Sequence, residues 1–284
     1  MTLIAFVGSV FSPTYFRARA REAAPPQAER FCALNLVLYR DGRRHWALTE
    51  HPRDRVQREA DVLALGGSTL AWEDDALVAR VDERSAGLGL PLRGTIRLRP
   101  RGRWTSPLAL DPAGRHHWWA VAPLAAIEVE MERPGLRFSG SGYHDTNFGA
   151  EPLEHGFHRW SWSRAELRRG TAVLYDAQPR DGAPSEHGLL FRPDGEVLPL
   201  AAPARHALAR TGWGLPRATR SDDGPSPVLR RTLEDTPFYS RSLVETTLDG
   251  QRVAAMHESL CLDRFARPWV QRLLPFRIRR GWRA

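Results

Sequence analysis

A chain of 284 residues that is 42% apolar and 26% charged has room for one large β domain or two ordinary ones, and its composition is that of a folded globular protein. No run approaches the ~18 apolar residues that a membrane-spanning helix needs, so no such helix is expected. The formal charge is +8 and all 41 basic residues are arginine, which excludes a lysine Schiff base, an amine nucleophile and a P-loop lysine.

The apolar opening MTLIAFVGSVF lacks the basic flank of a secretion signal and reads as a first strand. Residues 17–30, RARAREAAPPQAER, read as an exposed charged loop around Pro25-Pro26. From FCALNLVLYRDGRRHWALTE onward, runs rich in β-branched and aromatic residues alternate with Gly, Pro, Asp and Asn, as in RGTIRLRP, AAIEVEME, LRFSGSGYHD and TAVLYDAQPRDG. Asp-Gly pairs at 41–42, 181–182, 194–195 and 249–250 lie between such runs and predict hairpin turns. Helix is scarce: ARHALAR near residue 207 is the clearest short candidate, and RPWVQRLLPF is interrupted by Pro275. A loop, RSDDGPSP, covers 220–227. The pattern predicts an all-β protein with few short helices, in two antiparallel barrel or sandwich domains, 1–150 and 151–284, that meet after SGSGYHDTNFG. Two distant cysteines, Cys32 and Cys261, give no disulfide framework and fit a reducing cytoplasm.

The segment Ser139–Gly149 carries the most chemistry. If Gly142–Asp145 is extended, Tyr143 and Asp145 share one face and His144 takes the other. The stretches HHWW at 116–119 and RWSW at 159–162 contribute to a total of 10 Trp. Indoles in that number can line a cavity for a long, flat, apolar ligand, and core packing uses them equally well. Residues Asp145-Thr146-Asn147-Phe148-Gly149 also fit a strand end closed by an Asx turn. His155 and His158 have no cysteine or carboxylate completing a zinc pattern, so no metal is expected. His257 and Glu258 are adjacent, hence on opposite faces if extended, which argues against a catalytic pair. Asp176 and Asp263 are expected to pair with arginines. Neither G-x-S-x-G nor G-x-G-x-x-G occurs. The C-terminal RFARPWVQRLLPFRIRRGWRA interleaves Arg with Trp, Leu, Phe and Ile. That mixture suits contact with an anionic membrane surface, or a last strand with a basic tail, and nothing around it resembles a nucleic-acid-binding motif.

Six blocks, AFVGSVFSP (5–13), CALNLVLY (32–39), SGYHDTNFG (141–149), LYDA (174–177), DTPFYSRSLVET (235–246) and MHESLCLDRFARPW (256–269), resemble in order and nearly end to end those of the carotenoid 1,2-hydratases. The resemblance implies lipocalin-like β domains and addition of water to the terminal C1–C2 double bond of an acyclic carotenoid such as neurosporene or lycopene. It also implies a long apolar polyene as ligand, no cofactor, and a cytoplasmic protein peripherally attached to the inner or intracytoplasmic membrane. The family's acid maps onto Asp145, with Tyr143 and Trp118 as aromatic companions; Trp119, Trp160, Trp162, Phe148 and Tyr239 are candidates for contact with the polyene. One departure, Glu29-Arg30-Phe31 before Cys32, bears on end-group preference more than on the reaction. Such a hydration delivers a proton to C2 and leaves a tertiary cation at C1 for water to capture. A free Asp, with a pKa of about 3.9, is ionised at neutral pH, so the acid needs an apolar site that raises it. Tyr143 is placed either to stabilise the cation or to hold the water. A cyclase or isomerase on another polyene, or a non-catalytic carrier, fits the same aromatic wall, and product mass separates the three.

Overall fold

The repeated pattern of β-formers and turn residues yields strand after strand in the computed structural model, which describes residues 1–21, 26–40 and 42–280. The longest helix among these residues, Pro13–Arg21, has nine residues. Two compact units emerge: the first takes residues 1–100, 126–142 and the chain from Gln271, the second 101–125 and 143–270. The division is therefore not a single cut near residue 150.

The first unit opens with β1 (Thr2–Phe6), β2 (Cys32–Arg40) and β3 (Arg43–His51), paired antiparallel, and Arg279–Arg280 adds a short parallel strand to β3. A meander follows through β4 (Val56–Arg58), β5 (Val62–Leu65), β6 (Ser68–Glu73), β7 (Ala76–Arg84) and β8 (Pro91–Pro100). Alternating side chains from these strands, Leu36, Leu38, Ala47, Ala79, Val81, Leu92 and Ile96, meet Val129 and Met131 of a later strand in one core. Each large aliphatic buried there contributes roughly 1.5–3 kcal/mol, and Cys32, Leu34, Val56 and Leu65 form a second buried cluster in the same unit.

Between and beyond lie β9 (Leu108–Ala109) and two long strands, β10 (His116–Arg133) and β11 (Leu136–Gly149), each contributing residues to both units. The second unit continues with β12 (Phe157–Leu167), β13 (Gly170–Pro179), β14 (Ser185–Phe191), β15 (Val197–Pro199), β16 (Ala204–Leu208), β17 (Arg217–Ser221), β18 (Val228–Asp235), β19 (Tyr239–Leu248) and β20 (Gln251–Cys261). Seven of these form one antiparallel sheet in the order β15-β14-β13-β12-β20-β19-β18, and β16 pairs with β17 alone.

Register in this sheet decides what shares a face. Leu248 pairs with Gln251 across a two-residue turn in which Asp249 and Gly250 have φ of 52° and 67°, as a type I′ hairpin requires. That turn sets Arg241 opposite Glu258, while β12 sets Trp162 opposite both Glu258 and Tyr175. Tyr175, Trp162, Glu258, Arg241 and Glu234 thus form one row across five strands, on one face. The opposite face carries buried Ser161, Ser163, Ser240, Ser242, Ser259 and His257 at one end and an apolar cluster with Leu167, Leu174, Leu190 and Leu248 at the other. The indoles of β12 therefore look away from the serine-lined side.

The expected turns at Asp181-Gly182 and Asp194-Gly195 form, with the glycines at φ of 94° and 88°. Asp41, of the expected turn at 41–42, lies outside the described residues, as do residues 22–25 of the expected loop. Two expectations are corrected. Residues 17–21 are helical, because Ser12 accepts the Tyr15 N–H at 3.1 Å, Pro13 occupies the first turn, and Arg19 and Arg21 lie at the C-terminal end. ARHALAR is not a helix: Ala204–Leu208 pairs in register with Arg217–Ser221, since so short a helix is marginal and the hairpin partner satisfies the backbone. In RSDDGPSP, Arg220 and Ser221 complete β17 and the loop begins at Asp222.

Candidate active site

Trp118 on β10 and Tyr143, Asp145 and Asn147 on β11 occupy alternate positions, so the β11 trio projects to one side. The Trp118 Nε1–H donates to Asp145 Oδ2 at 2.8 Å and the Tyr143 hydroxyl donates to the same oxygen at 3.0 Å. Trp118 is buried, whereas Asp145 and Tyr143 keep partial access to solvent while hemmed in by protein. Burial pushes the Asp145 carboxyl up to about 6, against the lowering pull of the two hydrogen bonds; the Glu258 charge raises it further and Arg241 lowers it. Burial and the neighbouring Asp145 also push the Tyr143 phenol well above its ordinary value, so it acts as a donor. With both donors on Oδ2, the other oxygen of this acid remains free to carry a proton.

Aromatic rings surround the carboxyl. Trp162 lies 5.4 Å from Tyr143, Tyr175 lies 5.6 Å from Trp118, and Trp160 lies 6.0 Å from Tyr175, measured between ring centroids. The Arg164 guanidinium sits 5.4 Å over the Tyr143 ring, and Asn147 Nδ2 donates to the Tyr175 hydroxyl at 3.2 Å. Such surroundings offer π faces of the kind that accommodate a carbocation.

The structure brings Asp145, Tyr143, Trp118, Trp160 and Trp162 together, and Tyr239 shares the sheet face of Trp160 through Leu260 between them. Trp119 and Phe148 lie elsewhere. Each is one residue out of phase with the cluster: Trp119 donates to the Trp104 carbonyl at 2.6 Å, and Phe148, 48% exposed, stacks on His117 at 5.2 Å. Asp176 and Asp263 pair with Arg220 and Arg180 as anticipated, at 2.9 and 2.7 Å, and His158 joins Asp263 at 3.1 Å. Among the described residues no group of three or more His, Cys, Asp or Glu is arranged to hold a metal ion. His257 faces the serine side, where burial, with Arg217 and Arg205, lowers its imidazole to about 4.

Residues that the linear pattern did not assign to the site share its sheet face. Arg241, 3% exposed, bonds Glu258 from Nε at 2.8 Å and from Nη2 at 2.7 Å, and Glu234 from Nη1 at 3.0 Å. Tyr175 and this Glu-Arg-Glu triad occupy the same row as Trp162, a neighbourhood set by pairing between distant strands and carrying no local motif.

The model of the family described as "Carotenoid hydratase CrtC" matches residues 3–284. The acyclic carotenoid 1,2-hydratase of Thiocapsa roseopersicina is 45% identical over 281 residues, which are 99% of this chain and 69% of that protein. The protein of the same description from Cereibacter sphaeroides is 37% identical over 283 residues, 99% of each chain. Among solved structures, a protein assigned as AttH from Nitrosomonas europaea superposes with a TM-score of 0.57 at 13% identity, covering 85% of this chain and 83% of that one. A likeness at that identity shows the fold alone, a lipocalin-like arrangement of antiparallel sheets.

Proposed function

The chain belongs to the carotenoid hydratase CrtC family, and we propose that it adds water to the C1–C2 double bond of an acyclic carotenoid through Asp145 acting as a neutral acid. One observation carries this reading: two uncharged donors, indole and phenol, converge on a single oxygen of a carboxyl whose pKa is raised to about 6. Protonated on Oδ1, Asp145 delivers its proton to C2. The carboxylate left behind keeps both hydrogen bonds at Oδ2, and these strengthen as its charge develops.

The electron pair of the double bond becomes the new C2–H bond, leaving the tertiary cation at C1. Rings of Trp162, Tyr143, Trp118 and Tyr175 flank this centre, and one desolvated indole face contributes about 2 kcal/mol, more than tenfold in rate when gained only in the transition state. Water then bonds to C1 and loses a proton. The sequence moves one proton and one water and no electrons, so the reading includes no cofactor. Trp160 and Tyr239 extend the aromatic surface for the polyene chain; Trp119 and Phe148 lie out of phase with it.

The test uses dialysed protein, dispersed lycopene and water enriched in heavy oxygen, with mass spectrometry of the pigment. Product heavier by one labelled water, lost with Asp145→Asn, supports the reading; normal turnover by that variant defeats it. An isomer without added water points to a cyclase, and pigment returned unchanged, with neurosporene as well as lycopene, points to a carrier.

Peripheral membrane contact belongs to the same proposal. In the first unit Leu273 and Phe276 are 38% and 86% exposed beside exposed Arg272, and in the second Trp269 is 45% exposed beside exposed Arg267. Apolar groups of this kind enter the headgroup zone while arginines meet anionic lipid. No helix among the described residues is long and apolar enough to cross a membrane.

A further inference from the structure

We propose that Glu258 is the general base of the hydration, taking a proton from the water that captures the C1 cation, and that Arg241, itself held by Glu234, positions the Glu258 carboxylate. The inference rests on the hydratase reading above and adds the residue that completes its second half.

Register places Glu258 directly opposite Trp162, whose ring touches Tyr143, the partner of Asp145. Neighbouring strands lie about 4.8 Å apart, so Glu258 is one strand spacing from an aromatic of the site and on its face. Its side chain is 22% accessible, against 3% for Arg241, so the carboxylate opens outward while its cation is enclosed. Both bonds from Arg241 end on Oε1 of Glu258. Neither of these bonds uses Oε2, just as the donors on Oδ2 of Asp145 do not use Oδ1.

The two carboxyls are held in opposite ways. Asp145 is gripped by neutral donors, Glu258 by a guanidinium, and a site that separates its acids by environment assigns one as donor and the other as acceptor. Their mutual influence appears at Asp145, which the Glu258 charge pushes up. Stability alone is a weak reason for such a triad, because enclosing ions costs about as much as their attraction returns.

The bonds balance. As the Asp145 O–H bond breaks and C2–H forms, C1 becomes cationic; a lone pair of water forms C1–O; the O–H electrons of the resulting oxonium stay on oxygen while the proton goes to Glu258. Solvent then returns a proton to Asp145 as Glu258 releases one. Alkene and water become alcohol with no other reactant.

The experiment compares kcat and KM of wild type, Glu258→Gln, Glu258→Asp and Asp145→Asn on the same carotenoid, with tryptophan quenching by pigment as the measure of binding. Glu258→Gln is expected to lower kcat about 100-fold or more with KM and pigment binding retained. Glu258→Asp, which keeps a carboxylate beside Arg241, is expected to show a smaller loss of kcat. The proposal is overturned if Glu258→Gln turns over near the wild-type rate, if its loss is confined to KM or to pigment binding, or if Glu258→Asp loses as much kcat as Glu258→Gln. Failure of the hydratase reading looks different: wild type yields no water adduct, or Asp145→Asn stays active, whatever Glu258 does.

Discussion

Replacing Tyr143 by Phe deletes one oxygen and keeps the ring beside Trp162, so it isolates the 3.0 Å hydrogen bond to Asp145 Oδ2. A hydrogen bond to a charged group contributes roughly 1.5–3 kcal/mol, and at 1.36 kcal/mol per unit its loss raises the Asp145 pKa by about one to two units. The acid must be protonated to act, so kcat/KM of wild type falls as pH rises through about 6, and in the variant this basic limb moves up. If half of the carboxylate charge has developed in the transition state, half of that bond is lost there. The plateau at low pH then drops roughly 4- to 13-fold. At pH 8 only about one wild-type acid in a hundred is protonated, against roughly one in ten after a one-unit shift, so the deficit measured at pH 5 closes or reverses at pH 8. The assay is initial rate of hydroxylated pigment against pH at subsaturating substrate. A constant deficit at every pH, with the limb unmoved, would refute the idea that Tyr143 acts through the Asp145 carboxylate.

Asp145→Asn is expected to stabilise the fold near neutrality. A carboxyl whose folded pKa is about 6 holds more protons folded than unfolded between about pH 4 and 6, so stability falls as pH rises through that window. Removing the charge returns on the order of 2 kcal/mol at pH 7 and nothing near pH 3, and urea unfolding at the two pH values checks both. Arg241→Leu leaves Glu234 and Glu258 without their shared cation and is expected to cost about 3–5 kcal/mol in the same assay; a loss under 1 kcal/mol would mean the triad is not structurally coupled. Vesicle flotation with anionic lipid should show binding that weakens from low to high salt and drops further with Trp269→Ala and Phe276→Ala together. Binding indifferent to both would remove the membrane reading.

Much of this protein is legible one strand at a time. β-branched runs, scarce helix and Asp-Gly pairs dictated an all-β chain, and the 249–250 hairpin follows from backbone preferences of two residues. Alternation alone put Tyr143 and Asp145 on a common face, and the structure adds the hydrogen bond between them. The same local rule also separates Trp118 from Trp119, but which of the two indoles meets Asp145 depends on how β10 lies beside β11. Helix formers in ARHALAR were overridden because β17, a dozen residues away, offers a hairpin partner. Glu258 shows the limit most clearly. Its sequence neighbour His257 points to the serine side, and its real companions come from three other strands: Trp162 about a hundred residues earlier, and Arg241 and Glu234 through the hairpin. Sterics and alternation act over a few bonds and are written in the sequence directly, whereas sheet order and register arise from competition among distant segments for pairing and burial, so only the assembled sheet decides which charges meet.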